Sequence, residues 1–339
     1  MRRCLAILLM GAAGCQQPLQ PVFENIWPAV EWPASPDVPR IRYLGALSGE
    51  DSLKKPKPFS LKALLAGPEP TVGFSTPTAV AARGQRVFVA DGQSRVVYSL
   101  DLQTRDFRAI GAGGAQPLQW PADLMFVGEN LAVADSRLAV VLFFTMDGQF
   151  IKSIGDGVLQ RPVALAYRDA TRELWVLDAA QHALIAFDEQ GREVRRVGQR
   201  GDETGAFNFP AGLACNERLG LVVADSMNFR VQILDGEGRP KGAFGRKGDA
   251  AGDFSLPRDV AIDSEGHLYV LDNQFENIQI FDEAGRLLMA WGEEGRGPGQ
   301  FYLPGGMFID EQDRIWVADT YNRRVQVFQY LREAPEAAP

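Results

Sequence analysis

Residues 315–328 read IWVADTYNRRVQVF, residues 268–281 read LYVLDNQFENIQIF, and residues 221–234 read LVVADSMNFRVQIL. Each is an apolar run closed by an aspartate, followed by a short polar loop and a second apolar run. Upstream the pattern returns as LWVLDAAQHALIAF (174–187), LAVADSRLAVVLFF (131–144) and FVADGQSRVVYSL (88–100). The six aspartates, Asp91, Asp135, Asp178, Asp225, Asp272 and Asp319, recur every 43 to 47 residues. A proline opens each copy: Pro77, Pro121, Pro162, Pro210, Pro257 and Pro304. Self-similarity at that period marks a repeat architecture.

Each unit reads as four short strands. After the proline comes an inner strand such as Asp259-Val-Ala-Ile262, then a tight turn, then the strand ending in aspartate. A third strand of the VQIL type follows, and a turn rich in Asp and Gly leads to a fourth strand that ends in glycine (Gly111, Gly155, Gly198, Gly245, Gly292). Short strands joined by turns tolerant of positive φ are meander geometry, and four-stranded units of this length are propeller blades. The expected fold is all-β: one six-bladed β-propeller over residues 40–330.

The last three units, GAFNFPAGLA…VVADSMNFRVQIL, GDFSLPRDVAI…YVLDNQFENIQIF and GQFYLPGGMFI…WVADTYNRRVQVF, resemble NHL repeats. The second unit lacks the Asn-x-Arg element of that pattern, and the third has His182 in the loop. The resemblance spans roughly residues 40–330 and implies the propeller fold, while carrying little about function. An R-I-x-Y-L-G strand followed by an insertion also resembles a group of envelope propeller lipoproteins.

Ring closure is legible too. The sixth unit ends after its third strand, Arg324 to Tyr330, whereas residues 40–45 (RIRYLG) have the form of a fourth strand with no unit before them. The N-terminal strand is therefore expected to pair with Arg324–Tyr330 and close the last blade. From Gly45 to the first blade at Pro77 the connection is far longer than any other. This insertion, 46–76, holds a basic-proline run and a helix-like piece, Ser60 to Ala66, with Ser60 as N-cap. It is expected either on the binding face or as a plug over blades one and six. Residues 331–339 are expected to be a disordered tail.

The N-terminus, MRRCLAILLMGAAGC, has two arginines, a short apolar run and small residues before a cysteine, the layout of a signal peptide over residues 1–14. Ala12-Ala13-Gly14-Cys15 resembles a bacterial lipobox, which implies lipid attachment at Cys15. Gln16 in the following position implies the outer membrane. Residues 15–39, rich in proline and carrying Trp27 and Trp32, read as an extended tether. Cys215 is then the single cysteine of the folded part, preceded by apolar residues and expected to be inert. The formal net charge of −8 repels phosphate backbones, so nucleic acid is not an expected partner.

Candidate functional groups fall in two places. Arg95, Arg137, His182, Arg230 and Arg324 sit in the loops between second and third strands, which share one face. They read either as guanidiniums receiving an acidic partner or as ties to blade aspartates; the repeated offset of Asp225…Arg230 and Asp319…Arg324 favours the tie. Two positions after each blade-opening proline, at the channel mouth, stand Ala79, Asp123, Ala164, Gly212, Asp259 and Gly306. Enzymes resembling this fold hold zinc through several histidines or calcium through oxygen ligands on the channel axis. Here the two histidines, His182 and His267, fall at opposite ends of a strand, about 17 Å apart at 3.3 Å per residue, too far to share a zinc ion. Two carboxylates are few for calcium, which takes six to eight oxygens. No cofactor or metal is expected. The expected function is a non-catalytic module that docks a protein partner in the bacterial envelope, held to the membrane by its N-terminal lipid. The rival is a divalent-metal-dependent, lactonase- or lyase-like hydrolase with Asp123 and Asp259 in the channel.

Overall fold

The run that ends in aspartate is apolar without alternation because it is buried on both faces. In Arg86–Asp91, Asn130–Asp135, Glu173–Asp178 and Arg314–Asp319, every residue after the first is buried. A strand covered above and below by neighbouring sheets has no solvent face to alternate against. The fourth strands, such as Phe150–Ile154 and Pro240–Phe244, lie at the rim and alternate instead. The computed structural model describes residues 22–23, 29–54, 71–113 and 116–332. The expected helix at 60–66, Cys15 and the leader lie outside those residues.

Six antiparallel sheets form the ring. Five are consecutive four-stranded meanders that begin at Pro77, Pro121, Pro162, Gly212 and Pro257. The sixth combines Gly306–Ile309, Arg314–Asp319 and Arg324–Tyr330 with a strand from the other end of the chain, Ile41–Leu47. Its register pairs Ile41 with Tyr330, Tyr43 with Phe328 and Leu47 with Val325, with an irregularity at Leu44. The expected closure by the N-terminal strand is thus observed, with the strand running two residues past Gly45. A further short strand, Glu31–Trp32, pairs with Arg42 and Ile41 at the outer edge. The Trp32 ring meets Phe328 edge-on with centroids 5.9 Å apart. Part of the segment expected as a tether therefore joins the sheet. Leu331 also continues the ladder, its N–H donating to Arg40 O, and Arg332 pairs with Asp313.

Six apolar clusters fill the six seams between blades. Their centres are large side chains with no exposure, among them Trp175, Tyr269, Trp316 and Phe328. The described ends of the long insertion join one of these clusters. Leu53 and Phe74 are buried with Val80, Tyr98 and Val325 in the seam between blades six and one. The rest of the insertion, residues 55–70, lies outside the described residues.

Candidate functional site

The six blade aspartates are fully buried and act as latches. In blade one, Asp91 accepts from Ser75 N and Thr76 N of the incoming connection and from Ser94 N of the loop that follows. Blades two, three and five use backbone donors in the same way. In blades four and six, side chains replace part of that set. Asp225 accepts from Asn228, Arg230 and Gln232, and Asp319 accepts from Asn322, Arg324 and Gln326. Burying a carboxylate is costly unless its oxygens are filled, which is what these loops supply.

This arrangement decides the role of three residues expected on the binding face. The Arg230 guanidinium also donates to Glu203 O and Ala206 O, and that of Arg324 to Arg296 O, Gly297 O and Gln300 O. Both are internal ties, committed to their own blade. His182 is 7% exposed; its Nδ1 accepts from Phe209 N at 3.1 Å and its ring stands 4.6 Å from that of Phe209. It fastens the blade-three loop to the connection entering blade four. Arg95 and Arg137, by contrast, are exposed on that face.

What that face also presents is apolar. Trp120, Phe209 and Tyr302 stand in the connections just before the blade-opening prolines, and Leu138, Met227 and Tyr321 in the second-to-third strand loops. Their exposures run from 36% for Leu138 to 62% for Tyr321. Among the described residues, the other exposed large apolar side chains lie on rim strands (Phe150, Ile151, Val194, Leu288) or in the N-terminal segment and insertion (Val38, Val72). Tyr302 and Tyr321 pack edge-on with centroids 5.4 Å apart, and a Cβ added to Gly92 would touch the Trp120 indole at 3.0 Å. These rings are therefore braced by the loops beneath them. In the sequence the only trace of this set is an aromatic residue directly or closely before three of the prolines. That signal is absorbed in the blade-opening pattern.

In the channel, Asp123 and Asp259 line one cavity of about 220 Å³ with apolar neighbours such as Leu165, Leu213 and Met307. Each carboxylate bridges two inner strands. Asp123 accepts from Leu124 N at 2.8 Å and from Leu165 N of blade three at 2.7 Å. Asp259 accepts from Val260 N at 2.9 Å and from Met307 N of blade six at 2.7 Å. The flanking glycines have a steric reason: a Cβ on Gly212 would stand 2.5 Å from the Asp259 Cα. Both carboxyls are ringed by protein yet keep some exposure to the bore. Burial, and after it the charge on Asp259, holds Asp123 well above the usual carboxylate range. Burial pushes Asp259 up to about 7, against the two N–H donors and Arg258. Two carboxyls on one cavity, one of them raised by the charge of the other, titrate as a coupled pair. Cys215 faces the same cavity, donates to Tyr167 O at 3.0 Å, and has its thiol pushed up by burial to about 12. His267 lies at the opposite end of its blade from the second-to-third strand loops. Among the described residues no group of three or more His, Cys, Asp or Glu side chains converges as a metal site.

A family model described as a 6-bladed beta-propeller matches residues 262–332. The fold is a six-bladed β-propeller. No curated protein matches the chain. Among solved structures, this propeller is similar to a structural genomics protein of unknown function from Bacteroides thetaiotaomicron. The two are 13% identical with a TM-score of 0.62, over 76% of this chain and 70% of that one. It is also similar to a streptogramin B lyase, at 11% identity and a TM-score of 0.57 over 76% of this chain and 94% of that one. The virginiamycin B lyase of Staphylococcus aureus gives 10% identity and a TM-score of 0.55, over 76% and 96% of the two chains. Likeness at these identities speaks for the fold alone.

Proposed function

We propose that this propeller is a non-catalytic binding module, anchored at the bacterial envelope by lipid on Cys15, that docks a protein partner through its second-to-third strand loop face. One observation carries the reading: among the described residues, half of the exposed large apolar side chains gather on that face, as Trp120, Leu138, Phe209, Met227, Tyr302 and Tyr321. Exposed aromatic residues held in place by their own loops are the anchors from which protein interfaces draw most of their energy. Arg95, Arg137 and Arg161 stand exposed on the same face of a chain whose formal charge is −8. The partner chemistry that fits is an apolar patch flanked by carboxylates.

The hydrolase reading would rest on Asp123 and Asp259. Each of their four oxygens already accepts a backbone N–H, and Arg258 lies close enough to pull Asp259 down. Burial also favours a proton on this pair near neutrality. Such a pair suits the joining of inner strands better than the holding of a divalent ion.

The test is affinity isolation of the protein from its native membranes, with mass spectrometry of co-purifying proteins and metals. A stoichiometric partner that is lost with Trp120→Asp plus Tyr321→Asp supports docking. A solitary protein carrying a divalent ion, lost in Asp123→Ala, would sink it. Cys15→Ser should move the protein from the membrane fraction to the soluble one.

A further inference from the structure

Where the N-terminal segment approaches the closing strand, a cavity of about 540 Å³ opens against blades five and six. Val38, Ile280, Leu288 and Met289 supply its apolar lining, and Arg40, Glu265, His267 and Tyr330 its polar lining. Its volume falls in the range of about 300–1,000 Å³ typical of small-ligand pockets, and the channel cavity falls below it.

The imidazole at this cavity is held in one orientation. Asp263 is buried and its Oδ2 lies 2.8 Å from His267 Nδ1. The same carboxylate accepts from Tyr269 Oη at 3.1 Å and from the backbone N–H groups of Glu265 and His267. It therefore accepts a hydrogen bond from Nδ1–H, as a carboxylate behind a histidine does when it fixes the tautomer. Nε2 is left for the cavity and has no partner among the described residues. The other charged group on that turn, Glu265, is already engaged by the Tyr330 hydroxyl at 2.6 Å.

We propose that this cavity at the closure seam binds a small amphipathic acid, its carboxylate received by His267 and its apolar body by Val38, Ile280, Leu288 and Met289. The site is separate from the loop face and does not depend on it. The groups facing the imidazole are Asp263 and Glu265 from its own turn, Tyr269 from its own blade, Tyr330 from blade six and Arg40 from the N-terminal segment. The hydrogen bond to Asp263 comes first among the influences, and the imidazole is held above its ordinary range against the opposing effects of burial and Arg40. An anion at Nε2 is then bound more tightly by the protonated ring.

Octanoate is the probe, followed by isothermal titration with the whole protein, with octanol and octylamine as head-group controls. One saturable site is expected, tightening as pH falls from 8 to 6. Octanol should bind at least about tenfold more weakly, the worth of a hydrogen bond to a charged group. His267→Gln should leave the protein folded and remove the pH dependence. Leu288→Trp, at a side chain 51% exposed, should block the cavity without touching the core. Absence of saturable binding would overturn the proposal. So would octylamine binding as well as octanoate, unchanged binding in Leu288→Trp, or affinity for anionic vesicles in place of the monomeric acid.

Discussion

Replacing Asp319 by alanine strips a fully buried carboxylate from the centre of the last blade's latch. Four donors lose their acceptor: Tyr302 N at 2.9 Å, Asn322 Nδ2 at 2.9 Å, Arg324 Nε at 2.7 Å and Gln326 Nε2 at 3.0 Å. The Arg324 side chain is only 15% exposed, so its cation is stranded. Breaking a buried pair from one side costs about 3–5 kcal/mol, and neutral donors that cannot reach water add about 1–3 kcal/mol each. The loop is near the surface and Arg324 keeps three carbonyl acceptors, so a total of about 5 kcal/mol is expected. With an unfolding entropy of about 2.1 cal/mol/K per residue, a ring of this size loses about 1.6 °C per kcal/mol, a fall in Tm of about 8 °C. The assay is thermal unfolding followed by circular dichroism. Asp319→Ala with Arg324→Met should cost about 1–3 kcal/mol less than the two single changes summed, because no cation is left behind. Asp272→Ala, whose partners are all backbone N–H groups, should cost less than Asp319→Ala. A Tm within about 2 °C of wild type in Asp319→Ala would refute the latch argument.

Three other outcomes are expected. Ile41→Ala, at a fully buried position of the closing strand, should cost about 2–5 kcal/mol in a denaturant titration, and adding Leu47→Ala should approach the whole stability of the ring. For Asp259, a folded-state pKa of about 7 lies above the unfolded value of about 3.9, so the folded state holds the extra proton between them. Its contribution is full below about pH 4 and is lost as pH rises through about 7; melting curves against pH should be flatter in that window for Asp259→Asn than for wild type. Cys215, with its thiol pushed up to about 12, should be alkylated by iodoacetamide at pH 8 at least about tenfold more slowly in the folded than in the unfolded protein, read by peptide mass spectrometry.

The ring and its closure could be read from residues because both rest on repetition. Asp91 through Asp319 recur at one period, and residues 40–45 match a strand type missing from the last unit. Glu31–Trp32 could not be read this way, since two residues paired through their backbone leave no pattern. The binding face was only half legible. An Asp followed five residues later by Arg is compatible with a tie or with a receptor, and only the folded blades bring Arg230 and Arg324 onto Asp225 and Asp319. His182 sits at positive φ, in a loop geometry that turns its ring down onto Phe209, which no spacing announces. The seam cavity depends on three segments far apart in sequence, around residues 38, 267 and 288, and so has no local signature.

The pairing of Ile41–Leu47 with Arg324–Tyr330 also fixes an order of events. As the chain is made, the strand that closes the ring emerges before any blade, and its partner emerges after all the others. Five blades can form from neighbouring hairpins as they appear, whereas the sixth waits for the two extremities to meet. Loop-closure entropy grows only logarithmically with length, so the delay weighs on kinetics more than on final stability. Meanwhile the apolar faces of Ile41, Tyr43 and Leu47 stand without cover, a window for proteases and for a second chain to insert its own strand. Because Leu331 N already donates to Arg40 O, a short turn could join those ends directly. A circular permutant built that way would turn the slowest step of the ring into an ordinary hairpin.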